Sequence, residues 1–267
     1  MALNRPRQES IDLLEKALVR SQRKSSVRLP IEFVRDRDSV EAEPPLALLL
    51  RGGGEVRIKV LLTVLMQATK PPHAKKVRAK ELAAMLALRD PDGAGAKRVL
   101  KALRDLERLN GRADNSPVKL VEATREPGRT PSVQVLNPDG SGQEWDDTKL
   151  PSPYITLPID LWKHGWLIAL SGRAIALLII LKEITSGRKP AGTGWVDGIR
   201  KRQYGLSDDT WTKATRELVD AGLVTVHDHV YAFHGEPRRR NVYTLHLERL
   251  ASGGPGQQPE DGMSGGD

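Results

Sequence analysis

Residues 204–226 read Y-G-L-S-D-D-T-W-T-K-A-T-R-E-L-V-D-A-G-L-V-T-V. Gly205 is the residue type that closes a short helix in the left-handed conformation. Ser207 or Asp208 then offers a side-chain oxygen to cap a second helix. Trp211, Ala214, Leu218 and Ala221 follow at three- and four-residue spacing and make one apolar stripe. Asp209, Thr212, Lys213 and Arg216 fall on the other face, short polar groups first and two cations after them. Gly222 ends the helix, and Leu223-Val224-Thr225-Val226 continues as a strand.

Short helix, tight turn, polar-faced helix and strand form the second half of a winged helix-turn-helix. The polar face of such a helix is narrow enough to enter the major groove and read base edges. Thr212, Lys213 and Arg216 are the candidate base readers, with Ser207 and Asp209 at the helix start. Upstream, Tyr154-Ile155-Thr156-Leu157-Pro158 reads as a strand, and Ser171 caps a very apolar helix reaching Ser186. A loop with Gly187, Pro190, Gly192 and Gly194 leads to a helix over 196–204. Downstream, strands over 224–226 and 241–247 enclose H-G-E-P-R-R-R, a wing that carries Arg238, Arg239 and Arg240 toward backbone or minor groove.

The same order is legible earlier in the chain. A helix over 9–24 turns Ile11, Leu14 and Leu18 to one side and is expected to pack within the chain. An extended stretch over 28–34 and a buried helix over 56–69 follow. The basic loop 70–80 brings Lys75 and Lys76 within reach of phosphates. A helix over 79–88 ends in the turn Asp90-Pro91-Asp92-Gly93, where Asp92 is the candidate cap for the next helix. That helix, 94–110, directs Leu100, Leu103, Leu106 and Leu109 inward and sets Lys97, Arg98, Lys101 and Arg104 on or beside its outer face. Strands over 118–121 and 132–136 flank T-R-E-P-G-R-T-P, a second wing bearing Arg125 and Arg129.

Leu29-Pro30-Ile31-Glu32-Phe33 returns as Leu157-Pro158-Ile159-Asp160-Leu161, Leu61-Leu62-Thr63-Val64-Leu65 as Leu177-Leu178-Ile179-Ile180-Leu181, and Arg104-Asp105-Leu106 as Arg216-Glu217-Leu218. Three pairs in one order point to a duplication. The expected architecture is mainly α with small β wings, an α+β chain of two winged helix-turn-helix domains in tandem. A helical extension occupies 1–27, the first domain 28–136, a linker 137–153 and the second domain 154–250. Trp145 in the linker is expected to dock on a domain, and the Gly-, Pro- and acid-rich tail 251–267 to be disordered.

The 267-residue chain has a formal charge of +8 and a pI near 9.7, a balance that suits a nucleic-acid partner. It has no cysteine, which excludes disulfides, thiolate zinc sites and cysteine nucleophiles. The opening residues lack the apolar core of a signal peptide, and no apolar run is long enough to span a bilayer, so a cytoplasmic protein without a membrane partner is expected. Gly93-Ala94-Gly95-Ala96-Lys97-Arg98 lacks the spacing and the hydroxyl of a phosphate loop, and a tight turn explains its glycines. His227-Asp228-His229, with His234 and His246 nearby, has no assured third metal ligand. A rolling-circle nickase needs an apolar residue where Asp228 stands between the histidines. No catalytic residues, metal or cofactor are therefore expected.

Residues 154–226 resemble the winged-helix domain of phage and plasmid replication initiators and replisome organisers. The segments that carry the resemblance are Y-I-T-L-P, L-S-G-R-A-I-A-L-L-I-I-L and the stretch quoted above. Through the repeat it extends to 28–136. It implies binding to origin or operator DNA with one winged helix per half-site. It also matches Thr212, Lys213 and Arg216 to the family's base- and phosphate-contacting face. Gly93-Ala94-Gly95-Ala96 departs from the pattern, so the first copy is expected to hold phosphates more than bases. The function expected is sequence-specific binding of double-stranded DNA in replication initiation or organisation on a plasmid, phage or other mobile element. The alternative is a transcriptional repressor of the same fold. A second copy of the chain and other replication or transcription proteins are the further partners considered. An interaction module without DNA is disfavoured by the basic wings.

Overall fold

The computed structural model describes residues 5–36, 43–110, 117–146, 148–150, 152–187, 192–233 and 236–255. In it the chain runs twice through one order of elements. The first pass is α1 (Gln8–Ser21), β1 (Ser26–Pro30), a single 3-10 turn, α2 (Pro45–Leu50), α3 (Glu55–Gln67), β2 (Ala74–Lys76), α4 (Ala79–Met85), α5 (Ala94–Glu107), β3 (Val121–Thr124) and β4 (Ser132–Val135). The second is β5 (Tyr154–Pro158), α6 (Asp160–Lys163), α7 (Trp166–Ala169), α8 (Gly172–Thr185), β6 (Thr193–Trp195), α9 (Gly198–Gln203), α10 (Asp208–Asp220), β7 (Val224–Phe233), β8 (Glu236–Leu245) and the short α11 (Glu248–Ala251). The class is mixed α+β. Each pass builds a three-stranded sheet with its last strand central, β2-β4-β3 and β6-β8-β7. Among the described residues no helix is long and apolar enough to cross a membrane.

The edge strands β2 and β6 fall in stretches whose sequence reads as loop. Three residues are too few for an alternating pattern to show, and pairing to the central strand is what orders them. Gly194 is required there, since a Cβ would lie 2.8 Å from the Ile184 side chain of α8. Helix α8 is apolar on every side and correspondingly buried, and the Ser171 hydroxyl accepts from the Ala174 amide to start it.

Strands β1 and β5 join the two passes. They pair antiparallel, and Arg28 faces Thr156, its equivalent in the repeat, so an approximate two-fold axis passes between them. Helices α3 and α8 also meet at their starts. A Cβ on Gly172 would lie 2.8 Å from the Glu55 Cα. The buried Lys59 donates to Glu55 at 2.6 Å and crosses to the Ile168 carbonyl at 3.0 Å. Helix α2 lies under the turn after α9, where Gly205 has a φ of +65° and a Cβ would fall 2.8 Å from that of Ala47. One continuous apolar core results, running from Leu14 in α1 to Leu250 in α11. Helix α1 packs within the chain, on α3, α4 and α6, with Leu14 and Leu18 buried.

Several local expectations change. Leu100 is 41% exposed rather than inward, because Val99, Ala102, Leu103 and Leu106 form the buried stripe of α5. Steps of three residues drift around a helix, so leucines at 100, 103, 106 and 109 cannot share one face. The cap of α5 comes from Asp90, not Asp92. The Asp90 carboxylate accepts from the Gly93 and Ala94 amides at 3.2 and 2.8 Å, while Asp92 pairs with Lys80. The segment expected as a linker folds back on the first pass. Ser141 bridges Lys119, Glu144 bridges Leu136, and Trp145 is 2% exposed. At the far end, the Trp166 indole donates to the Gly253 carbonyl at 3.0 Å, so the start of the expected tail is docked. Residues 256–267 of that tail lie outside the described residues.

Candidate nucleic-acid interface

Helix α10 is held at both ends and along its buried side. The Ser207 hydroxyl accepts from the Thr210 amide at 3.2 Å and starts the helix. Near its other end Glu217 accepts from the Ser171 amide and hydroxyl at 2.7 and 2.6 Å, tying α10 to the start of α8. Trp211 is buried between Tyr204 and Tyr243 and donates from its indole to the Tyr243 hydroxyl at 3.0 Å. The opposite face is open. Asp209, Thr212, Lys213 and Arg216 are all exposed along it. Lys213 reaches back to Asp209 at 2.8 Å, and Arg216 has no partner among the described residues. Ser207, expected among the contact residues, spends its hydroxyl on the cap.

Helix α5 occupies the equivalent place in the first pass, and an offset of 112 residues aligns L-K-A-L-R-D-L at 100–106 with T-K-A-T-R-E-L at 212–218. Lys101 and Arg104 are therefore the counterparts of Lys213 and Arg216, and all four side chains are exposed. Lys101 pairs with Asp105 at 2.8 Å, and Lys97 and Arg98 have no partner among the described residues. The glycines before them serve the turn. A Cβ on Gly93 would lie 2.4 Å from the Asp90 carboxylate, and one on Gly95 would lie 2.8 Å from the Asp90 carbonyl oxygen.

The wings differ from expectation. Arg125 does not project into solvent as a free cation. It forks onto Glu107 at the end of α5, with one bond of 3.1 Å, and Glu107 also accepts from the Ala123 amide at 3.0 Å. Burial raises the Glu107 carboxyl, but these bonds outweigh it and hold the group below its ordinary value. Arg129 pairs with Glu126 at 2.5 Å, close to its own turn. Lys75, Lys76 and Arg129 line one open cleft of about 670 Å³ between α1, α4 and the sheet.

In the second wing, β7 and β8 are ten residues each, so Arg238, Arg239 and Arg240 lie along a ribbon instead of at its tip. Arg239 approaches Asp228 at 3.4 Å. The Arg240 guanidinium is clasped between the rings of Trp195 and Tyr231, at 4.2 and 4.4 Å from their centroids. Arg240 therefore fastens the ribbon to the sheet, leaving Arg238 and Arg239 as the outward cations.

Three cations in a row escape the sequence reading, Arg200-Lys201-Arg202 on α9, although the run stands immediately before the turn. Lys201 stacks over Trp211 at 5.2 Å and pairs with Asp208 at 2.6 Å, which lowers the Asp208 pKa. Arg202 is exposed beside it. Arg200 points inward to Glu183 at 2.8 Å, where Arg35 from the first pass also arrives at 3.2 Å and the Tyr204 hydroxyl donates. Burial alone would raise Glu183, but the Tyr204 and Arg200 hydrogen bonds and the two guanidinium charges keep it below its ordinary 4.5. The Tyr204 hydroxyl is pushed up, first by burial and then by the Glu183 charge. This knot fixes α9, and with it the turn into α10, against the first pass.

Among the described residues no three histidine, aspartate or glutamate side chains gather in a way that could hold a metal ion, and His234 lies outside them. No protein-family model and no curated protein matches this chain.

Proposed function

We propose that the chain is a cytoplasmic, sequence-specific double-stranded DNA-binding protein built from two winged helix-turn-helix units, acting in replication initiation or organisation on a mobile element. The observation that carries the DNA-binding reading is the matched pair of exposed helix faces. Lys101 and Arg104 on α5 and Lys213 and Arg216 on α10 stand at equivalent positions of two copies of one element order. Lysine and arginine at that spacing on an open helix face suit guanine edges and the flanking phosphates. The net charge of +8 supports the same partner. Replication rather than promoter control is supported by the resemblance of 154–226 to initiators and replisome organisers. The antiparallel pairing of β1 with β5 favours an imperfect inverted repeat as the bound sequence, because it relates the two units by about a half turn.

Selection of binding sites from random duplexes with the full chain tests this reading. The expected result is one enriched sequence with two half-sites, each weakened by loss of its own arginine, Arg104→Ala or Arg216→Ala. Failure to enrich any sequence would overturn it.

A further inference from the structure

Leu100 has no structural reason to sit where it does. It is 41% exposed in the middle of a helix face whose other members are Lys97, Lys101 and Arg104. Its own helix already buries Val99, Ala102, Leu103 and Leu106, so the core does not need it. Its counterpart in the second pass is Thr212, in the same exposed stripe beside Lys213 and Arg216. The two faces share the pairs Lys101/Lys213 and Arg104/Arg216 and differ outward at Leu100/Thr212 and at Lys97/Asp209. Leu100 also borders a shallow notch of about 600 Å³ together with Ala96, with Arg78, Ala79, Lys80 and Glu81 at the start of α4, and with Thr130 of the first wing. Its rim is mixed, Arg78 and Lys80 beside Glu81, and its floor of Leu100, Ala96 and Ala79 offers contact to an apolar group.

We propose that Leu100 is a specificity-determining residue that reads the C5 methyl group of a thymine in the major groove. Of the four base pairs only those containing thymine present an apolar group there, and aliphatic side chains are its partners. Lys97, Lys101 and Arg104 meet the phosphates and neighbouring base edges on either side. The first unit therefore reads bases and does not merely hold the backbone, and its half-site carries a thymine at the base pair facing Leu100. The inference rests on the DNA-binding reading above.

The test replaces thymine by deoxyuridine, one position at a time, in the duplex that the full chain selects. Only a methyl group is removed by that change. At one thymine of the half-site weakened by Arg104→Ala, affinity should fall about fourfold, the effect of exposing one methyl group at about 0.8 kcal/mol. Leu100→Ala should bind the thymine and uracil duplexes equally and keep its response to changes elsewhere. Because Leu100 is outside the core, the variant should keep the melting temperature of the parent. Should it fail to fold, the uracil scan on the parent chain still decides. No methyl-sensitive position in that half-site, or a sensitivity that persists in Leu100→Ala, overturns the proposal while leaving DNA binding intact. Absence of any selected sequence removes the DNA reading itself and this proposal with it.

Discussion

Removing the Glu183 carboxylate should unfasten the two halves of the molecule from one another. The side chain is 6% exposed and receives Arg35, Arg200 and the Tyr204 hydroxyl. Deleting one partner of a buried ion pair costs roughly 3–5 kcal/mol, because the other charge is left without compensation. Here the freed guanidiniums keep 18% and 23% of their side-chain surface, so water can reach them in part. Glu183→Ala should therefore cost about 2–4 kcal/mol. Glu183→Gln keeps an acceptor for one donor and should cost about half as much, and Arg35→Met less again, since Arg200 and Tyr204 still satisfy the carboxylate.

Urea unfolding of the full chain measures all three, and a single transition is expected because the core is continuous. The pH dependence has a definite sign. The folded Glu183 pKa lies below its ordinary 4.5, so its contribution is complete above that value and is lost as pH falls through the lowered one. The deficit of Glu183→Gln should accordingly shrink in that acid window. A Glu183→Ala cost below about 1 kcal/mol, or a Glu183→Gln deficit that stays constant from neutral into acid solution, would refute this.

Other substitutions separate structural from contact roles. Gly172→Ala puts a methyl group 2.8 Å from the Glu55 Cα and should cost roughly 1–3 kcal/mol in the same urea assay, whereas no loss would mean that α3 and α8 can part freely. Arg216→Ala should lower affinity for the selected duplex by roughly 1–3 kcal/mol and affect random duplex far less, and equal losses on both would reduce it to a phosphate contact. Arg239→Ala should shallow the plot of log affinity against log salt by about one unit. Arg240→Ala, by contrast, should lower thermal stability through loss of the clasp between Trp195 and Tyr231, and an unchanged melting temperature would contradict that assignment.

The parts of the fold that bury regular apolar patterns are legible in the sequence. Helices α3, α8 and α10 fall within one or two residues of where their stripes and the Ser171 and Ser207 caps place them. The parts held by pairing are not. The outer half of the β7–β8 ribbon carries no alternating apolar pattern, because Asp228 and His229 face Asn241 and Arg240 and only His227 faces an apolar residue, Val242. Its order comes from contacts across the sheet, Asp228 with Arg239 and Arg240 with two aromatic rings, which no local window contains. The candidate site divides the same way. Exposure of Thr212, Lys213 and Arg216 follows from helical phase alone. The diversion of Arg125 to Glu107 joins residues from a wing and a helix end, and only the folded arrangement reveals it. The alignment of 100–106 with 212–218, which share Lys, Ala, Arg and Leu at four positions, is legible in the letters once Leu100 is taken off the core face.

Hydroxyl-radical footprinting of the full chain on its selected duplex bears most directly on two DNA-reading units in one molecule. Two protected segments are predicted, centred about one helical turn apart, roughly 10 base pairs or a small multiple. Arg104→Ala should fade one segment and Arg216→Ala the other. A single segment that fades only with Arg216→Ala would show that α5 does not meet DNA, and protection without boundaries would show that neither helix reads sequence.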